Sequence, residues 1–321
     1  MNLKANLRIE DLLSGALAVL LLSYAGVRSL LAGLAIDEEH YWEFALILLP
    51  ATGLVFAVSL RYALRGNAEH APAQVARIAR DWFPFLLFMM VYETFQSRIW
   101  SVLSPHDRDD ALLALDRRLF GETPALRLES ITTPTLTDAM TIAYFLHLIL
   151  PPILALACYL KDRELFREFL LAVLLGGAVA SVGYLVVPAV GPGLAHAARF
   201  HLELHGRLYG PVTHLVDLAR APRDVFPSLH VGLSSIVLYY AARRGRAWFL
   251  VCLPLVLANW FSTVYLRYHY LIDVFAGWLL AILVVLGSRA LLAFERKIGL
   301  GRGTAAVSVA ATGRSVSRAI I

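Results

Sequence analysis

Apolar segments long enough to cross a lipid bilayer recur along almost the whole chain, and they decide the solvent in which most of it must fold. A transmembrane helix needs about 20 mostly apolar residues. Eight stretches meet that measure, at 12–36, 41–64, 81–103, 138–160, 165–188, 225–242, 247–266 and 270–294. In hydrocarbon every backbone N–H and C=O must find its partner within the segment, so such runs are expected to be helices. The expected fold class is an all-α integral membrane protein with eight transmembrane helices. Composition agrees, with 59% of the 321 residues hydrophobic and 17% charged, against roughly 45–50% and 25% in soluble domains. A pair of soluble domains, which length alone would suggest, is thereby excluded. The first run follows Lys4 and Arg8. It is longer than a signal-peptide core of about 7–15 residues and is expected to remain as a span.

The formal net charge of +5 would hint at nucleic acid in a soluble protein. Here the placement of the charge carries the information, and no nucleic-acid partner is expected. Arg61, Arg65, Arg77 and Arg80, then Lys161, Arg163 and Arg167, then Arg243, Arg244 and Arg246 lie in short connections on one side of the spans. Lys4, Arg8 and the basic residues after Arg289 join them. The two long loops, 104–137 and 189–224, lie on the other side with fewer positive charges. Positive charge in short loops marks the cytoplasmic face, so both termini are expected to be cytoplasmic and the long loops external. Arginine far outnumbers lysine, as in GC-rich bacterial genomes. The expected location is then the inner (plasma) membrane. Cys158 and Cys252 sit inside apolar runs and read as small buried hydrophobes. The Gly-, Ala-, Ser- and Arg-rich tail is expected to be disordered.

Ionisable groups at membrane depth are costly, and each is a functional candidate. In this topology they converge. The sixth span opens at the outer face with Phe226-Pro227-Ser228-Leu229-His230, and the eighth opens there with Arg267-Tyr268-His269-Tyr270-Leu271-Ile272-Asp273. Pro227 and Ser228 suit a helix start, where free N–H groups and the helix dipole favour an anion such as phosphate. His269 and Asp273 are spaced i, i+4 and share a helix face. A carboxylate there can hold one imidazole nitrogen and leave the other as a nucleophile. Helix-to-helix hydrogen bonding is the plainer reading of any one of these residues. The set of them favours a site. His201, Glu203 and His205 have ligand-like spacing but are expected on an amphipathic interfacial helix. His147, beside Pro151-Pro152, is expected to pack or to line a lipid cavity, and Trp82 is expected as an interfacial anchor.

At these residues the chain resembles the type 2 phosphatidic acid phosphatase superfamily, and within it the inositol phosphorylceramide synthase-like branch. The two histidine strings are similar to its second and third signatures, and the resemblance spans residues 80 to 290. Asp116-Arg117-Arg118-Leu119-Phe120-Gly121 and Val187-Pro188-Ala189-Val190-Gly191-Pro192 also resemble segments of that branch. The resemblance implies a six-helix catalytic core at 80–295, preceded by two further transmembrane helices at 1–79 and followed by a disordered cytoplasmic tail at 296–321. It further implies that His269 attacks phosphorus, Asp273 orients it and His230 protonates the leaving oxygen. No metal and no cofactor is implied. Leu229 stands where the wider superfamily has Gly, and Thr263 where it has Arg. Phosphate neutralisation would then fall to Arg267, Arg223 or Arg98, the last beside Glu93, with Ser228 capping the anion site. The expected activity is phosphotransfer from a membrane lipid, with an inositol-phosphate-type head group and a lipid alcohol or water as acceptor. Simple lipid phosphate hydrolysis is the alternative of the same chemistry. A proton-coupled transporter is the alternative of another class.

Overall fold

The structure is a computed structural model that describes residues 7–16, 71–96, 106–219 and 223–300. Every regular element among the described residues is a helix. A helical stretch at 9–16 is followed by α1 (Ala71–Gln96), α2 (Asp109–Phe120), α3 (Pro134–Tyr144), α4 (Leu146–Lys161) and α5 (Arg163–Val186). Then come α6 (Tyr209–Ala219), α7 (Leu229–Arg244), α8 (Arg246–Tyr265) and α9 (Leu271–Ile298). Short helical turns fill the loops before α3 and before α6.

Among the described residues, four segments are long and apolar enough to cross a membrane: Pro134–Lys161, α5, α8 and α9. They coincide with the spans expected at 138–160, 165–188, 247–266 and 270–294. The span expected at 225–242 is the 16-residue α7, which starts only after the Ser228 cap. The helix expected at 81–103 begins earlier, at Ala71, because the segment before residue 81 is itself rich in good helix formers. Beyond residue 16 the two N-terminal spans lie outside the described residues, as do 97–105, which include Arg98, and 301–321. The tail expected from residue 296 gives way to α9 as far as Ile298, where Gly299 closes the helix in the left-handed region with φ 75°.

The first of these four segments is not a continuous helix. It breaks at Phe145, between α3 and α4. The break frees backbone carbonyls, and Asn259 of α8 receives two of them. Its Nδ2 donates to Ala143 O at 3.0 Å and to Tyr144 O at 2.9 Å. Both cysteines are free and buried, as expected.

α7 lies at the centre, packed against α4, α5, α8 and α9. Two glycines set how closely its start approaches its neighbours. A Cβ on Gly277 of α9 would lie 2.6 Å from Ser228 O, and one on Gly183 of α5 would lie 3.1 Å from Phe226 O. The Pro227 ring also lies against Gly183 and Val231 Cβ against Gly277, the close approach that small residues permit between membrane helices. Outward faces remain apolar, as with Ile149 and Ile153 of α4, Val182 of α5, Val251 of α8 and Leu286 of α9. Such faces suit lipid rather than water.

At the end of the bundle away from the start of α7, ion pairs bind stretch 9–16 to the body. Arg167 of α5 reaches Glu10 at 2.5 Å and Glu295 of α9 at 2.9 Å. Glu295 also accepts the Ile9 N–H at 2.8 Å, Arg8 pairs with Asp81 at 2.7 Å, and Arg80 pairs with Asp11. Trp82 is no interfacial anchor. It is 3% exposed, packed against Tyr159 and Phe166 with centroids 5.4 and 5.1 Å away.

Candidate active site

The site is built on two helix starts. At the first, Ser228 caps α7, its Oγ accepting the Val231 N–H at 3.4 Å, and its own N–H donates to Asp273 O at 3.2 Å. His230 therefore stands in the first turn of α7, partly exposed. At the second, Tyr270 precedes α9 and Asp273 reaches back in the third position, where Oδ2 accepts the Tyr270 N–H at 2.8 Å. Two further carboxylates serve the same start. Asp116 of α2 accepts the Leu271 and Ile272 N–H groups at 3.0 and 2.9 Å. Asp109 accepts the Tyr270 hydroxyl at 2.9 Å and the Val190 and Gly191 N–H groups, each at 2.9 Å. Negative charge at a helix N-terminus is favourable, and these bonds fix where α9 begins. Burial lifts the Asp116 carboxyl above the usual carboxylate range, and its two backbone bonds pull the other way.

His269 belongs to the turn between α8 and α9. Its N–H and that of Tyr268 both donate to Thr263 O, each at 3.1 Å. Arg267 takes φ 64°, unusual for a residue with a side chain, and its carbonyl accepts the Gly193 N–H at 2.8 Å. The turn is thus tied to the segment that holds Val187 to Pro192.

Across these starts the two histidines meet. His269 Nε2 lies 3.1 Å from His230 Nδ1, and His269 Nδ1 lies 3.5 Å from Asp273 Oδ2. His269 is 2% exposed and Asp273 fully buried. The three groups expected to act together stand in one line, with Ser228 beside them. Behind His230 lie Tyr144, which the sequence did not mark, and His147. The Tyr144 ring stacks on it with centroids 4.5 Å apart, and the His147 ring meets it edge-on at 4.0 Å. The expectation that His147 packs or lines a cavity resolves to contact with His230.

The arginines behave differently. Arg267 pairs with Glu129 at 3.1 Å, donates to Leu202 O at 2.6 Å and lies 4.0 Å over the Phe200 ring. Burial lowers its guanidinium from the ordinary value, with Glu129 opposing that shift. Arg223 pairs with Asp107 at 2.7 Å. Arg98 lies outside the described residues, and so does the side chain of Glu93, whose backbone belongs to α1. The segment holding His201, Glu203 and His205 is not helical. The His201 and Leu202 N–H groups bind Glu129, and those of Arg207, Leu208 and Tyr209 bind Asp138, so the backbone is held in an open course.

An imidazole with a buried carboxylate 3.5 Å from one nitrogen and a second imidazole 3.1 Å from the other has the parts of a nucleophile and a proton donor. Comparison with known proteins agrees with that chemistry. The model of the PAP2 superfamily matches residues 110–287. The chain therefore belongs to the PAP2 superfamily. It is a membrane-embedded enzyme of the phosphatase or phosphotransferase kind, acting on lipid substrates. A relative from Bacteroides thetaiotaomicron, named phosphoinositol dihydroceramide synthase, is 25% identical over 265 residues, covering 73% of this chain and 84% of the relative. That likeness is consistent with the inositol phosphorylceramide synthase-like branch. No solved structure matches the chain.

Proposed function

We propose that the protein transfers a phosphorylated polyol head group, of the phosphoinositol type, from a membrane phospholipid to a lipid alcohol. In this reading His269 Nε2 attacks phosphorus. The N–P bond forms as the P–O bond to the leaving lipid breaks, and His230 Nδ1 gives its proton to that oxygen. The acceptor hydroxyl then attacks the phosphohistidine, returns a proton to His230 and frees His269. Asp273 holds His269 Nδ1 and balances the charge that develops on the ring. The observation that carries the proposal is the line from His230 through His269 to Asp273, at 3.1 and 3.5 Å. Two imidazoles in direct contact must part slightly to admit a phosphoryl group between His269 Nε2 and His230 Nδ1.

Charge supports a diester donor over a simple lipid phosphate. A phosphomonoester carries about −1.5 to −2 near neutral pH, whereas a diester carries a single charge. Arg267 and Arg223 are already engaged by Glu129 and Asp107, which suits the smaller demand. Eight spans, a six-helix core at 80–295, cytoplasmic termini and a site facing outward from the inner membrane complete the proposal. Buried Arg–Glu pairing around stretch 9–16 is in keeping with a cytoplasmic end there.

The test uses purified protein with phosphatidylinositol and a panel of lipid alcohols, scoring new phospholipid against released inositol phosphate. His269→Ala is expected to lower transfer by about a thousandfold or more. An acid-labile phosphoryl label on His269 is expected from the unmutated protein. Free phosphate from phosphatidic acid with no transfer product would establish the hydrolase instead.

A further inference from the structure

Resting on the transfer reaction just proposed, we infer that the helix break between α3 and α4 is a clamp for His230. Tyr144 and His147 act in it as positioning residues that present its ring as proton donor to the leaving oxygen.

The Ser228 cap fixes the His230 backbone, but an imidazole still has two side-chain torsions to settle. Three rings settle them. Tyr144 of α3 stacks on the His230 ring at 4.5 Å with 29° between planes. His147 of α4 meets it at 4.0 Å and 66°. His269 meets it at 5.2 Å and 64°, with the 3.1 Å nitrogen contact between them. Contacts from three segments leave the ring one orientation, with Nδ1 toward His269. Tyr144 also packs on Tyr268, centroids 4.7 Å apart. One tyrosine thus touches both the donor and the turn that carries the nucleophile.

The clamp is itself anchored. His147 Nδ1 lies 2.5 Å from Tyr144 O. A carbonyl oxygen only accepts, so that nitrogen carries the proton. Asn259 Nδ2 donates to the same carbonyl at 2.9 Å and to Ala143 O at 3.0 Å. An unbroken helix through residue 145 would spend those carbonyls on its own backbone and would have no call on α8. The stacked tyrosine also offers its negative face to the imidazolium, the form of His230 that can donate a proton. The titratable groups against the His230 ring are Tyr144, His147 and His269, with Tyr268 behind Tyr144 and Asp273 behind His269.

Leaving-group dependence reads this role directly. Two diesters of one head group are compared, one releasing diacylglycerol and the other p-nitrophenol. An alkoxide needs a proton as it departs, and a nitrophenolate does not. Tyr144→Leu is expected to lower kcat about five- to thirtyfold on the alkyl diester, with KM within about twofold. On the aryl diester it is expected to lose less than about threefold. His147→Asn keeps an N–H donor for Tyr144 O but lacks the ring, and is expected to show the same split. Tyr144→Phe, which keeps the ring, restores most of the alkyl rate. Equal losses on both substrates, or no loss on either, overturn the inference, and His147→Asn decides if Tyr144→Leu does not fold. No turnover of either diester by the unmutated protein would remove the transfer reading, and this inference with it.

Discussion

Asp116 illustrates what a single buried residue does for the site without touching substrate. It is fully buried on α2 and binds two backbone N–H groups of α9 from 155 and 156 residues away. Asp116→Asn keeps one acceptor oxygen and turns the other atom into a donor facing an N–H. One buried backbone donor then goes unpaired, at a cost of about 1–3 kcal/mol. Thermal unfolding in detergent is expected to show that loss, with activity reduced because α9 carries Asp273. The sequence string that holds Asp116 resembled a segment of the family, yet nothing local in it announced a cap for a distant helix. His230, His269 and Asp273 were legible because a proline-serine helix start and an i, i+4 pair are local patterns. The arginines were not, because their roles depend on Glu129 and Asp107, partners that only the folded chain brings near. Tyr144 gave no signal at all, since an aromatic residue in an apolar run reads as core.

At the scale of elements, hydropathy located four of the spans but not how they are shaped. The break at Phe145 has no glycine or proline at the site. Its freed carbonyls are met by Asn259 across the bundle. The start of α7 was legible from Ser228, and its distance from α9 was not. That distance depends on Gly277, where an added methyl would sit 2.6 Å from Ser228 O and 2.9 Å from Val231 Cβ. Gly277→Ala must push the two helix starts apart. It is expected to destabilise the protein by about 1–3 kcal/mol and to cut activity by about a hundredfold, since misplacement of about 1 Å is that costly. Near-normal kcat in Gly277→Ala would show that the pair of histidines does not depend on this approach.

For the whole molecule, the polar chemistry gathers at two ends of an apolar bundle. One end holds the histidines, and the other holds the ion pairs around Arg167. Removing one partner from a buried charge cluster is worse than replacing the cluster, because the carboxylates left behind lose most of their counter-charge, with Glu10 keeping Arg8 at 4.0 Å. Glu10 and Glu295 are 4% and 3% exposed. Arg167→Ala is therefore expected to destabilise the fold by about 3–5 kcal/mol, seen as an earlier thermal transition. Activity per folded molecule should be little changed at low temperature. The pairing also has a consequence for how the chain is made. Ile9 leaves the ribosome 286 positions ahead of its partner Glu295. Arg167 emerges between them with half of its neighbours still unsynthesised. Until α9 is threaded into the membrane, Arg167 and the Ile9 N–H lack their Glu295 partner, and the open cluster marks the nascent protein as unfinished. Closure of that latch then waits on α9, and chains cut short of residue 295 should be cleared by proteases faster than chains that include it in a pulse-chase experiment.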